Sequence, residues 1–201
     1  MIILVIGGAG SGKSEYAEML AQTKRKEDGR LIYCATMHCS QHDREGIERI
    51  ARHQRLRAGK GFLTIEQETG IGEMEILPDD TMLLEDLTNL LANEMYLKEG
   101  ALSEPEFSRE KSAGTNTGQK LSLREDLLES AILDPLFRIS DAGASVIVVA
   151  NDVFRDGRHY DAETELFLSR LAYLHRRISG KAEQVTEVVY GIPVGVKGGR
   201  S

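Results

Sequence analysis

Gly7, Gly12, Lys13 and Ser14 stand in the spacing G-x-x-x-x-G-K-[ST], a pattern suited to the capture of a nucleoside triphosphate such as ATP or GTP. Small residues over Gly7, Gly8, Ala9, Gly10, Ser11 and Gly12 let backbone N–H groups turn inward around a β-phosphate, and the start of a following helix adds positive potential. Lys13 is placed to neutralise β- and γ-phosphate oxygens, and the Ser14 hydroxyl to ligate Mg²⁺. Further along, Met82, Leu83 and Leu84 run directly into Glu85 and Asp86. An acid at the C-terminal end of a buried strand beside a phosphate loop belongs in the outer shell of the magnesium or on a positioned water, so Glu85 or Asp86 fills that role. The other is then a helix N-terminal acid favoured by the dipole.

A third segment carries charge rather than carboxylates. From Arg49 to Lys60 the chain has five Lys and Arg and no acid, leaving 20 basic against 32 acidic residues elsewhere. On a helix, Arg49, His53 and Arg57 fall at i, i+4 and i+8, one stripe with a histidine between two arginines. Such a stripe suits a polyphosphate, and a neutral imidazole there is able to attack an α-phosphate while the arginines stabilise charge on phosphorus. A solvated basic helix face has the same spacing, so both readings stand.

The elements that must position these groups alternate short apolar runs with helical periodicity, the pattern of an α/β protein with a mostly parallel central sheet flanked by helices. Ile2 to Ile6 is a strand covered on both faces, and Tyr16, Ala17, Leu20 and Ala21 recur at helical spacing after the glycine turn. The same reading predicts a strand over 31–36, a helix over about 43–57, an extended piece over 62–65, a strand over 82–84 and a helix reaching about Leu97. Residues 99–122 are poor in apolar side chains and rich in turn formers, which predicts a flexible insertion. A helix over about 123–139, a central strand over 146–150, a helix over about 162–178 and a strand over 187–190 follow, and the tail from Gly191 closes the sheet and frays.

At 201 residues, 41% of them apolar, the chain is read as one domain over 1–201 with a core of its own. A formal charge of −7 argues against a generic nucleic-acid or anionic-membrane binder. No apolar run approaches the ~20 residues that span a bilayer, and the start does not read as a secretory signal, so the cytoplasm is the expected location. Cys34 and Cys39, with His38 and His42 nearby, are too few for a disulfide framework and need further ligands to make a zinc site; Cys34 reads as a small hydrophobe ending a strand.

Together these residues resemble the bifunctional adenosylcobinamide kinase / adenosylcobinamide-phosphate guanylyltransferase family of cobalamin biosynthesis. The opening GGAGSGKS at 7–14, YCATM at 33–37, RIARHQRLR at 49–57, FLTIE at 62–66, LLEDLTNLLANEM at 83–95, VIVVANDV at 146–153 and GIPVGVK at 191–197 are similar, in order, to that family's segments. The resemblance implies a P-loop NTPase (RecA-like) fold, a homotrimer, and two reactions. A nucleoside triphosphate phosphorylates the aminopropanol hydroxyl of adenosylcobinamide; GTP then guanylylates His53 with loss of pyrophosphate, and GMP passes to the new phosphate to give adenosylcobinamide-GDP. It also implies that Ala35, Thr36, Met37, Gln54, Arg55, Leu56, Arg57, Glu66 and Glu85 contact guanine nucleotide.

The chain departs from the family pattern at Gly10, where the family often has Arg, in the stretch FRDGRHYD over 154–161, and along the helix carrying Phe167, Leu168, Ser169, Ala172, His175 and Arg176. Gly10 lies within the phosphate loop, whereas the differences over 154–161 and along that helix lie away from it and bear on the corrinoid pocket and the trimer packing. Two other readings share the scaffold: a P-loop kinase of another small alcohol, and a nucleotide-binding regulatory protein without guanylyl transfer.

Overall fold

The computed structural model describes residues 1–38, 46, 48, 51, 55, 59–97, 125–155 and 157–198. Among these residues seven strands form one sheet: β1 (Ile2–Gly7), β2 (Leu31–Ala35), β3 (Leu63–Glu66), β4 (Thr81–Glu85), β5 (Ser145–Asn151), β6 (Gln184–Val189) and β7 (Ile192–Lys197). Their order is β3-β2-β4-β5-β1-β6-β7. Every neighbouring pair is parallel except β6 with β7. This is the mostly parallel, helix-flanked sheet that the alternating pattern predicts.

The near-continuous apolar runs of β1, β4 and β5 follow from burial on both faces. Ile3, Val5, Tyr33, Leu83, Ile147 and Val149 face α1 (Lys13–Lys24), which contributes Ala17, Leu20 and Ala21. The alternate residues Ile2, Leu4, Ile32, Met82, Leu84, Val146 and Val148 face the opposite layer, which includes α2 (Leu87–Tyr96), α3 (Asp134–Asp141) and α4 (Ala162–Lys181). Cys34 is buried in that second layer with its Sγ 3.5 Å from the Met74 sulfur, and burial pushes its thiol up to about 12. It is packed as a small hydrophobe.

Two elements differ from expectation. The helix expected over 123–139 is helical from 125 but opens into a π turn over Glu129–Leu133 before α3. Pro135 at the start of α3 has no N–H to return to the residue four before it, and the wider turn accommodates that gap. The last parallel strand begins at Gln184 rather than 187, while the tail closes the sheet as expected by pairing back on it as β7. Of the helix expected over 43–57, residues 46, 48, 51 and 55 are helical; the rest, and the insertion at 99–122, lie outside the described residues.

Because β1 to β5 are parallel, their C-terminal ends share one edge of the sheet. Register brings Ala35 level with both Glu66 and Glu85, and Gly7 level with Asn151.

Candidate nucleotide site

At that edge the chain leaves β1 through Gly7, winds through residues 8–12 and enters α1 at Lys13. Gly12 has φ +88, a left-handed conformation that glycine adopts without steric cost just where the loop turns into the helix. Gly7 answers a different need: a Cβ there would crowd Ser11 Oγ and lie 2.8 Å from the Val188 carbonyl oxygen, so strand β6 passes too close for any side chain. The loop is held by Ser11 N–H donating to Gly8 O (3.2 Å), Asp152 N–H to Gly7 O (3.0 Å) and Gly191 N–H to Ser11 O (2.7 Å). Lys13 is buried, its ammonium donating to Gly8 O at 3.2 Å across the loop.

The end of β4 supplies the carboxylates, and the structure separates their roles. Glu85 faces the loop: Ser14 Oγ donates to its Oε1 at 2.6 Å, while its Oε2 is buried with no partner among the described residues. Burial pushes the Glu85 carboxyl up to about 7 against the opposing hydrogen bond from Ser14, with Asp86 adding to the rise and Lys13 opposing it. Asp86 turns the other way. It caps α2 by accepting from Asn89 N–H at 2.7 Å, and Asn151 Nδ2 donates to its second oxygen at 2.9 Å. Burial raises its pKa, opposed by the Asn89 backbone bond and by Lys13. Asp86 is therefore the helix-capping acid, and Glu85 the one presented to the loop.

The polar ties behind these groups join residues far apart in sequence. Thr36 is buried; its hydroxyl accepts from Asp86 N–H at 2.8 Å and stands 3.0 Å from Glu85 O, pinning the end of β2 to the end of β4. Asn93 of α2 donates through Nδ2 to Thr36 O (2.6 Å) and Glu68 O (2.9 Å). An asparagine inside an apolar helical stripe was the only sequence signal for this contact. Ala35 and Met37 are half-buried beside Thr36, and Glu66 is exposed at the end of β3. Arg55 is helical and exposed. His53, Gln54, Leu56 and Arg57 lie outside the described residues, as do Cys39 and His42. His38 pairs with Glu68, Nδ1 to Oε2, at 2.7 Å.

Chemically, the site brings together a lysine, a hydroxyl and a buried carboxylate oxygen that has no partner among the described residues. Ser11 Oγ is also buried without a partner among the described residues. Buried oxygens left unpaired are costly unless a ligand or ion completes them, and hard oxygen donors of this kind suit Mg²⁺ with a polyphosphate.

The family model described as cobinamide kinase / cobinamide phosphate guanyltransferase matches residues 3–196. The chain belongs to that family. A relative from Escherichia coli, named bifunctional adenosylcobalamin biosynthesis protein CobU, is 27% identical over 203 residues, covering 98% of this chain and 100% of its own. The protein of the same name from Salmonella typhimurium is 28% identical with the same coverage. Among solved structures, the flagellar accessory protein FlaH from Methanocaldococcus jannaschii aligns with a TM-score of 0.44 at 14% identity, over 98% of this chain and 77% of that one. Membership makes the chain a transferase of cobalamin biosynthesis, as the segments quoted from the sequence implied.

Proposed function

We propose that this protein phosphorylates the aminopropanol hydroxyl of adenosylcobinamide and then guanylylates the product by way of a GMP–His53 intermediate. The observation that carries the nucleotide half is the phosphate loop facing Glu85, with Ser14 Oγ 2.6 Å from one carboxylate oxygen and the other buried and unpartnered among the described residues. Loop N–H groups hold the β-phosphate, and Lys13 exchanges the Gly8 carbonyl for β/γ oxygens. Ser14, and Glu85 through water, would hold Mg²⁺, which when bound spreads the charge of the β- and γ-phosphates. Glu85 is presented at its usual task only once ionised, and Lys13 nearby favours that form.

In the second reaction an imidazole nitrogen of His53 attacks the α-phosphorus of GTP, the bond to the bridging oxygen breaks, and pyrophosphate leaves. An oxygen of the cobinamide phosphate then displaces the imidazole from phosphorus. The basic segment around His53 supports this reading through the charge it brings to a polyphosphate. Guanine contacts fall to Ala35, Thr36, Met37, Gln54, Arg55, Leu56, Arg57, Glu66 and Glu85. The protein acts as a single domain in the cytoplasm; among the described residues no helix is long and apolar enough to cross a membrane. It assembles as a homotrimer.

A second reading is favoured by one feature. A cavity of about 320 Å³ lined by Val153, Phe154, Arg158, Tyr160 and Leu168 lies where the sequence departs most from the family pattern. On this reading the same phosphate loop serves a different alcohol. The deciding experiment measures both half-reactions on cobinamide. His53→Ala is expected to keep phosphorylation and lose guanylyl transfer, and Lys13→Ala to lose phosphorylation. Nucleotide hydrolysis or transfer to other alcohols with none to cobinamide would favour the second reading.

A further inference from the structure

The turn joining β6 to β7 breaks a local rule. Val189 pairs with Ile192, so Tyr190 and Gly191 form a two-residue hairpin turn, and both have positive φ, 50 and 78. Turns of this kind favour Asn-Gly or Gly-Gly, because a bulky side chain is disfavoured in the left-handed region. Tyrosine gains no packing in return: it is 94% exposed. A strained, solvent-facing aromatic points to a function other than stability.

Its position says which. The turn is hydrogen-bonded to the phosphate loop, and it and the end of β6 lie close against the loop's glycines. Gly191 N–H donates to Ser11 O at 2.7 Å, Gly191 Cα lies 3.2 Å from where a Cβ on Gly12 would stand, and the Val188 carbonyl abuts Gly7. Tyr190 is therefore one residue from the backbone that contacts the last turn of the loop, at the N-terminus of α1. A nucleoside triphosphate whose phosphates fill the loop carries one group with an affinity for an exposed phenol ring, its base.

We propose that Tyr190 is a base-stacking residue for the nucleotide held by the phosphate loop, a contact that rests on the nucleotide reading above and extends it to the β6–β7 turn. Base stacking on an aromatic is sequence-tolerant, since every base has a π-face. Tyr190 accordingly contributes affinity for a purine nucleotide without choosing between ATP and GTP.

Isothermal titration of the full chain with GTP and with inorganic tripolyphosphate, both with Mg²⁺, tests this. Tyr190→Asn installs the preferred turn pair, so its melting temperature is expected to hold or rise while GTP affinity falls about five- to tenfold. Tripolyphosphate affinity is expected to stay unchanged, and Tyr190→Phe to bind GTP within about twofold of the parent. Unchanged GTP affinity in Tyr190→Asn would overturn the proposal, and so would equal losses for GTP and tripolyphosphate, which would mark Tyr190 as a support of the loop alone. A parent protein that binds neither ligand would overturn the nucleotide reading and this contact with it.

Discussion

Glu85 shows how one side chain couples the site to the stability of the fold. Its carboxyl is held near neutrality by burial, from a usual value of 4.5 to about 7. A raised carboxyl pKa means that the native state binds a proton the unfolded chain has already lost, so stability of the ligand-free protein falls as pH rises from 4.5 to about 7. Glu85→Gln removes that dependence. Denaturant unfolding at pH 5 and pH 8 is expected to show the variant more stable than the parent at pH 8, by up to about 3 kcal/mol, with little difference at pH 5. An unchanged difference between the two pH values would mean the carboxylate is solvated. The same substitution should weaken Mg²⁺-dependent turnover, since the oxygen without a protein partner is then an amide.

Among the elements, the parallel strands are tied at their N-terminal ends as firmly as the site is tied at the other edge. Asp80, 1% exposed, accepts from Leu77 N–H at 2.7 Å and from Arg30 N–H at 3.0 Å, and it also meets the Arg30 guanidinium. Burial alone would raise its carboxyl, but the Arg30 guanidinium and these two backbone donors outweigh it and hold it below the usual range. Such a depressed group contributes stability above the ordinary carboxylate range and loses it as pH falls further. Asp80→Asn removes the charge that the partly exposed Arg30 guanidinium faces and weakens the acceptor for two backbone donors, so it is expected to lower stability at pH 7, with a smaller loss at pH 3, by thermal or urea unfolding. An equal cost at both pH values would assign the loss to the backbone bonds instead.

Element by element, legibility tracked burial. Strands β1, β4 and β5 were plain in the sequence because burial on both faces demands unbroken apolar runs, and the phosphate loop because its glycines and lysine have few other uses. β6 was half hidden: its end from Glu187 was legible as a strand, but polar Gln184 and Thr186 carry no strand signal until the neighbouring β1 supplies their partners. β7 was hidden further by Pro193 and Gly195, residues that argue against a strand except at an edge. The division of labour between Glu85 and Asp86 depended on Asn151 and Thr36, which lie far away in sequence and meet them only through the sheet order.

For the whole molecule, the outer edge is the feature that a single chain leaves unexplained. Ile192, Val194 and Val196 of β7 are 65%, 47% and 64% exposed, an apolar stripe on an edge strand. Exposed apolar edges of this kind are association surfaces, and here the stripe supports the homotrimer proposed above. Val194→Asp is expected to shift the protein from a trimer toward the 22.3 kDa monomer in native mass spectrometry. A parent that is already monomeric would remove the assembly from the account while leaving the nucleotide site untouched.

The central claim is the covalent nucleotide on His53, and intact-mass spectrometry after incubation with GTP and Mg²⁺ tests it most directly, under neutral conditions because an N–P bond to histidine is acid-labile. The account predicts a mass increase of one GMP that maps to His53 and is absent from His53→Ala. Bound GTP with no adduct, or an adduct that survives in His53→Ala, would contradict it.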